Sequence, residues 1–259
     1  MDKTWIKTGI LAGLVSLAGA VAASPITVED LYYGADDNGH DDVVGLESNF
    51  NIHSMTITQT GTLFDFDIST NFAYKSGSLF NNYTLGGTGI GYGDLFLATE
   101  WAPDTSLDNY LADDATTGTQ WTYGLVFSDR YENNGGEISL YKLNGNNSQT
   151  ALMSDDLMTG NAVWRNGQEV TVNTESDYVD YMGVIGNWSL EQDLISLSVD
   201  LSSSSLMAGS TLAFHWGMTC ANDVIEGMVN TTPVPEPGTL ALLGLGVAGL
   251  FAARKRKSA

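Results

Sequence analysis

The densest group of side chains able to do chemistry is the run Asp36-Asp37-Asn38-Gly39-His40-Asp41-Asp42. Asp36, Asp37, Asn38, Asp41 and Asp42 are closely spaced oxygen donors around a turn-forming glycine. Such a group can wrap a hard cation, and Ca2+ takes about six to eight oxygens at roughly 2.3–2.6 Å. The run is not an EF-hand: Glu47 falls twelve residues along, counting Asp36 as the first, but no helix pattern flanks the loop. The competing reading is a solvated acidic loop that holds nothing. Asp94 in Gly91-Tyr92-Gly93-Asp94, and the pair Asn222 and Asp223, offer the same donors at lower density. Ca2+ is the only cofactor these residues call for.

Other chemistries are poorly supplied. A single cysteine, Cys220, rules out an intramolecular disulfide and any cysteine-based zinc or iron-sulfur site. It lies in phase with Trp216 and Met218, which reads as a small buried apolar residue; the sharper alternative is a nucleophile or an intermolecular disulfide partner. The histidines are three, His40, His53 and His215, so a three-histidine metal site would consume all of them. In the strand pattern His215 faces away from the row of Trp216, the ordinary place for a polar residue. No Gly-x-Ser-x-Gly elbow, His-Glu-x-x-His, phosphate loop or dinucleotide fingerprint occurs. A glycosidase needs only a pair of carboxylates, and an acidic chain supplies such pairs by chance. The expectation is a protein that is not an enzyme. Carbohydrate binding is the stronger alternative, because a ring that packs on a sugar face beside Asp and Asn donors is a common arrangement. Trp101 and Trp188 are its candidate contacts, with Trp164, Tyr92 and Tyr110 also among turn residues; aromatics beside turns equally often cap a core.

The charge is extreme and unevenly placed. Of 31 Asp and Glu, all but Asp2 and Glu236 lie between residues 24 and 232, where Lys75, Arg130, Lys142 and Arg165 are the only Lys and Arg. A surface of that sign repels phosphate backbones, so nucleic acid is excluded as a partner.

The elements that must position these residues are strands. Phe64, Phe66 and Ile68 alternate with Asp65, Asp67 and Ser69, and Trp121, Tyr123, Leu125 and Phe127 share one face. Ile195, Leu197, Val199 and Leu201 repeat the pattern, as do Leu212, Phe214, Trp216, Met218 and Cys220. Period two means one buried and one solvated face. Asn133-Asn134-Gly135-Gly136 marks a hairpin turn before Ile138 to Leu143, and residues 103–118 read as a long acidic surface loop with one helical turn. The predicted fold is all-β, one antiparallel β-sandwich of jelly-roll type over residues 24–232.

Both ends carry addresses. Lys3 and Lys7, an apolar stretch from Gly9 to Ala23 and small residues at Ala20, Ala22 and Ala23 make a secretory signal peptide over residues 1–23. The partners it implies are the Sec translocon and signal peptidase. At the other end Pro233, Pro235 and Pro237 precede the uncharged run Gly238 to Ala253, and Arg254, Lys255, Arg256 and Lys257 follow. As a helix that run spans about 24 Å, slightly short of a bilayer's hydrocarbon core. The four cations act as a membrane stop and favour the cytoplasmic side.

Val234-Pro235-Glu236-Pro237-Gly238-Thr239-Leu240-Ala241-Leu242-Leu243-Gly244-Leu245-Gly246, with the apolar run and basic tail after it, resembles the PEP-CTERM sorting signal. The resemblance covers residues 233–259. It implies export across the inner membrane of a diderm bacterium, transient inner-membrane anchoring, and recognition of Pro235-Glu236-Pro237 by an exosortase. It further implies a cell-surface or extracellular-matrix destination linked to exopolysaccharide and biofilm, where millimolar calcium is met. A physical reason suits the tripeptide to processing, since its prolines keep it extended just above the bilayer. The segment around Cys220 is similar to a Cys-Gly-Asn-Asp core found at this place in such proteins. Ala221 here replaces the glycine, which puts any special backbone conformation there in question.

Overall fold

The structure, a computed structural model, describes residues 23–36 and 39–232. Apart from Ala23, the expected signal peptide lies outside the described residues, as do the Pro-Glu-Pro tripeptide, the apolar run and the basic tail. No helix among the described residues is long and apolar enough to cross a membrane.

Twelve strands are described: β1 (Ile26–Glu29), β2 (Ile52–Thr60), β3 (Leu63–Thr70), β4 (Leu95–Ala98), β5 (Tyr123–Phe127), β6 (Gly136–Leu143), β7 (Ala151–Met153), β8 (Glu169–Val172), β9 (Val179–Glu191), β10 (Leu194–Asp200), β11 (Thr211–Gly217) and β12 (Val224–Asn230). Ten of them form one antiparallel sheet in the order β1-β2-β3-β10-β9-β6-β5-β4-β11-β12, and β7 pairs with β8 apart from it. The all-β, antiparallel expectation holds. The jelly-roll sandwich does not describe this order: a sandwich needs two facing sheets, whereas here one sheet curls toward closure. Alternation in sequence reports a buried face without saying whether another sheet or the same sheet covers it.

The inner face carries the rows read from the sequence. Phe64, Phe66 and Ile68 of β3, Ile195, Leu197 and Val199 of β10, and Leu212, Phe214 and Trp216 of β11 share one core with Met218 and Cys220. Each large apolar side chain so buried contributes about 1.5–3 kcal/mol. Trp121 departs from its expected row. The strand starts only at Tyr123, and Trp121 packs outside the barrel with Phe96 and Ala98. Curvature needs close backbone approach at Gly186 of β9, where a Cβ would lie 2.0 Å from the Ser198 carbonyl oxygen.

The barrel wall is covered on one side only. Along β2, β3 and β10 the outward residues are not buried, whereas all four residues of β4 are buried and β11 is buried from Leu212 onward. The β7–β8 hairpin and the loops around residues 30–46 and 99–122 form this second layer. Asp94 pins it: its carboxylate accepts from Phe127 N, Val172 N and Arg130 Nη2, the last at 2.7 Å. Asp94 thereby ties β5 and β8 to the start of β4, with burial pushing its pKa up and Arg130 pulling it back. This commits it to structure rather than to the cation role considered for it.

The edges β1 and β12 lie side by side, with Gly227 of β12 facing Val28 of β1, yet no ladder joins them. At one end of this seam the Gln59 amide donates to the Thr232 carbonyl and accepts the Thr232 N–H, both at 2.8 Å. These are the bonds a neighbouring strand would make. The Gln59 carbonyl accepts from Ala23 N, so residues 23 and 232 meet at this end.

Candidate functional site

At the other end of the seam, nine residues along β12 from Thr232 and so about 30 Å away, lie Asp30, Asp42 and Asp223. The end of β1 delivers Asp30, the loop leading into β2 delivers Asp42, and the turn between β11 and β12 delivers Asp223. One carboxylate oxygen from each lies within 4.8 Å of the others. Asp223 is fixed by Ile52 N at 2.6 Å and Val224 N at 3.0 Å. Burial, then the charges of Asp223 and Asp42, raise the Asp30 pKa well above the usual range. Burial raises Asp223 likewise, with the Ile52 N–H opposing and Asp42 adding to the rise.

Arg165 is the cation of this region, 0% exposed, but its hydrogen bonds go to carbonyls. It donates to Gly34 O at 3.1 Å, Asp41 O at 2.7 Å and Asp42 O. It fastens the loop's backbone and leaves the carboxylate oxygens unserved. Asp30 Oδ2, Asp42 Oδ1 and Asn222 Oδ1 are buried without a hydrogen-bond partner.

Of the described members of the acidic run foreseen from the sequence, Asp42 joins this cluster; Asp36 accepts from His40 N and Nδ1, and Asp41 is exposed apart from the carbonyl that Arg165 holds. Asp37 and Asn38 lie outside the described residues. The sparser pair Asn222 and Asp223 is here instead. Asp30 went unnoticed, and as half of the pair Glu29-Asp30 at the end of a short strand it gives no local signal of ligation.

A second acidic cluster lies under the loops on the covered wall. His215 is 0% exposed, against the surface position expected for it, because the β7–β8 layer covers the outer face of β11. Its Nδ1 is 3.0 Å from Glu226 Oε2 and its Nε2 is 2.9 Å from the Glu169 carbonyl. A carbonyl only accepts, so Nε2 carries hydrogen, and a proton on Nδ1 would be held by the Glu226 carboxylate. Burial lowers its pKa, but the Glu226 bond and the charges of Glu169 and Glu226 outweigh that and the net shift is upward. Glu226 Oε1 also accepts from Trp101 Nε1 at 2.7 Å and Thr119 Oγ1 at 3.2 Å. Tyr32 donates to Asp113 at 2.9 Å and packs edge-on against His215. Burial pushes Glu169 and Asp113 up to about 7, the nearby Glu226 adding to both, while His215 opposes. The signal that would have found Glu226 is register: a hairpin with its turn at residues 218–223 sets His215 opposite Glu226, as observed.

The tryptophans considered for sugar contact are engaged. Trp188 is 3% exposed, packed between Tyr92 and Phe127, with its indole N–H on Ser128 O. No ring face is left there for a sugar, which corrects that expectation. Trp101 spends its N–H on Glu226 and packs on Tyr110. Cys220 is buried, its thiol pushed up to about 12 by burial, which makes it inert.

Comparison with known families reaches the tail. A family profile described as the PEP-CTERM protein-sorting motif matches residues 233–257. The chain carries a PEP-CTERM sorting motif. That motif implies export, transient membrane anchoring in the sorting pathway and recognition by an exosortase. No curated protein and no solved structure matches the chain, so these conclusions rest on the PEP-CTERM tail while the barrel is read from its own residues.

Proposed function

We propose that the chain is an exosortase substrate that ends as a cell-surface or extracellular-matrix protein associated with exopolysaccharide, its barrel serving a structural, non-catalytic role. The PEP-CTERM match at residues 233–257 carries this reading. Two features of the barrel are consistent with it. Residues 23 and 232 meet at Gln59, so a leader removed before one and a sorting tail after the other would both leave from one end. The remainder would stand away from the bilayer as an acidic surface that repels like surfaces and is screened by salt. The buried His215–Glu226 pair has no exposure through which a substrate could reach it.

The test expresses the full chain in a diderm host with and without its exosortase and reads the C-terminus by mass spectrometry. With the enzyme, the product should lack Arg254, Lys255, Arg256 and Lys257; with Glu236→Ala it should keep them and stay in the membrane fraction. A wild-type product that retains the four basic residues in the presence of the enzyme overturns the proposal. A glycan array on the mature product in the presence of calcium tests the polysaccharide link: retention of glycans would favour a lectin-like, calcium-dependent role, and no binding favours the structural one.

A further inference from the structure

Asp30 and Asp42, two of the three carboxylates brought together where the barrel seam lacks a ladder, each keep an orphaned oxygen, and so does Asn222, next in the chain to the third, Asp223. Asn222 is 1% exposed and its Nδ2 is spent on Val44 O at 2.7 Å, which holds the amide against the segment that carries Asp42. Its Oδ1, with Asp30 Oδ2 and Asp42 Oδ1, is buried and unmatched. An unmet buried acceptor is costly, more so when charged, and unmatched oxygens on neighbouring carboxylates amount to a local deficit of positive charge. Arg165 supplies it only in part: its charge lowers the pKa of Asp30 and Asp223, but its hydrogen bonds go to the carbonyls of Gly34, Asp41 and Asp42, and its Nε is left unmatched.

The structure assigns a Ca2+ site to Asp30, Asp42 and Asp223 with the Asn222 side-chain oxygen, closing the seam between β1 and β12 at the end opposite Gln59. The donor set is all oxygen, which selects a hard cation. Calcium suits such a group better than magnesium, because it accepts irregular all-protein oxygen cages whereas Mg2+ demands near-octahedral geometry and keeps several waters. One oxygen from each of the three carboxylates lies within 4.8 Å of the others. Each ligand comes from a different element, so the ion would join the end of β1, the loop before β2 and the start of β12. At one end of the seam a glutamine amide does this with hydrogen bonds; at the other, the cation does it with charge. This site is independent of the sorting tail, and its failure would leave the proposed function untouched.

The experiment uses the full chain in detergent, stripped with EGTA and dialysed against radiolabelled CaCl2 at pH 7.5. One ion per chain should bind, saturating below about 1 mM, within the range of extracellular modules. Asp42→Asn and Asp30→Asn should lose that ion, whereas Asp177→Asn, at an exposed acid far along the chain, should keep it. Free Ca2+ at 100 times its Kd should multiply the folded-to-unfolded ratio about 100-fold, read as a rise in Tm beyond that given by NaCl of equal ionic strength. Absence of stoichiometric ion in the wild type overturns the assignment, and would mean the carboxyls share a proton instead. That measurement decides even where a variant fails to fold. Undiminished binding in both variants overturns it as well, and an equal response to MgCl2 overturns the choice of calcium.

Discussion

Two acidic clusters, one at the end of the β1–β12 seam and one under the covered wall, meet the same problem in different ways. Around His215 the solution is mostly internal: His215 faces Glu226, Trp101 and Thr119 fill the remaining Glu226 positions, and Tyr32 serves one oxygen of Asp113, whose other oxygen is left unmatched. Around Asp223 the protein supplies three backbone N–H groups, two to Asp223 and that of Tyr32 to Asp30, and no side-chain donor is matched to Asp30 Oδ2, Asp42 Oδ1 or Asn222 Oδ1. Tyr32 touches the first cluster two residues after Asp30 enters the second. Burial alone therefore does not tell the clusters apart; the count of donors does. A carboxylate surrounded by enough donors is architecture, and one left short is an invitation to a cation.

The comparison breaks most visibly if one acid is removed from each cluster. Glu226→Ala strands the His215 ring, the Trp101 N–H and the Thr119 hydroxyl together, and should destabilise the protein by about 3–5 kcal/mol. Asp30→Asn in chelator-treated protein should act in the opposite direction, raising stability by on the order of 1 kcal/mol because it removes a repelling charge while keeping an acceptor for Tyr32 N. Urea denaturation of both variants in EGTA reads the signs. If both destabilise alike, the second cluster is as self-sufficient as the first and the contrast is wrong.

Titration sharpens the same contrast from the His215 side. Glu169 and Asp113 are raised to about 7 in the folded chain, so between pH 4.5 and 7 the folded state holds protons that the unfolded state has released. Stability must fall as pH rises across that window. His215, raised above its ordinary value, contributes stability that is fully present below its unfolded pKa and is lost as pH rises through the higher folded one. All three slopes have one sign. The lowered carboxylates, Asp104, Asp114 and Asp200, act the other way but only below about pH 4. Metal-free protein should accordingly melt at a lower temperature at pH 8 than at pH 5. Glu169→Gln should flatten the profile by on the order of 3 kcal/mol, the equivalent of its shift at about 1.36 kcal/mol per unit. A Tm that rises from pH 5 to 8 would contradict the buried, proton-holding account of this cluster.

The sequence made the barrel rows legible because an inward row is written every second residue, as at Leu212, Phe214 and Trp216. It hid the closure, since nothing in period two distinguishes a sheet that meets another from one that meets itself. The sites were legible in proportion to their locality. Asp36 to Asp42 drew notice as a dense run, yet among its described residues the structure takes Asp42 and completes the group with Asp30 and Asp223, far apart in the chain. Density along the chain measures solvation as readily as ligation. Glu226 was recoverable from hairpin register, but Glu169 and Asp113 reach His215 only through the tertiary packing of the covering layer.

The smallest effect concerns the turn that serves both clusters. Between β11 and β12, Ala221 stands at φ +49, a left-handed conformation that was in doubt without a glycine there. Its methyl is 0% exposed, packed with Tyr32, Val170 and Val224. Relief of the left-handed penalty by Ala221→Gly is worth about 1–2 kcal/mol. Against it stand about 0.8 kcal/mol for the buried methyl and about 0.5–1 kcal/mol for the greater freedom of glycine in the unfolded chain. These nearly cancel, so the variant should lie within about 0.5 kcal/mol of wild type in urea denaturation, with calcium binding retained. A gain above about 1 kcal/mol would show that the methyl contributes nothing to the patch beneath Tyr32. A loss of that size would show that the patch, and not the charges on either side of it, holds the turn in place.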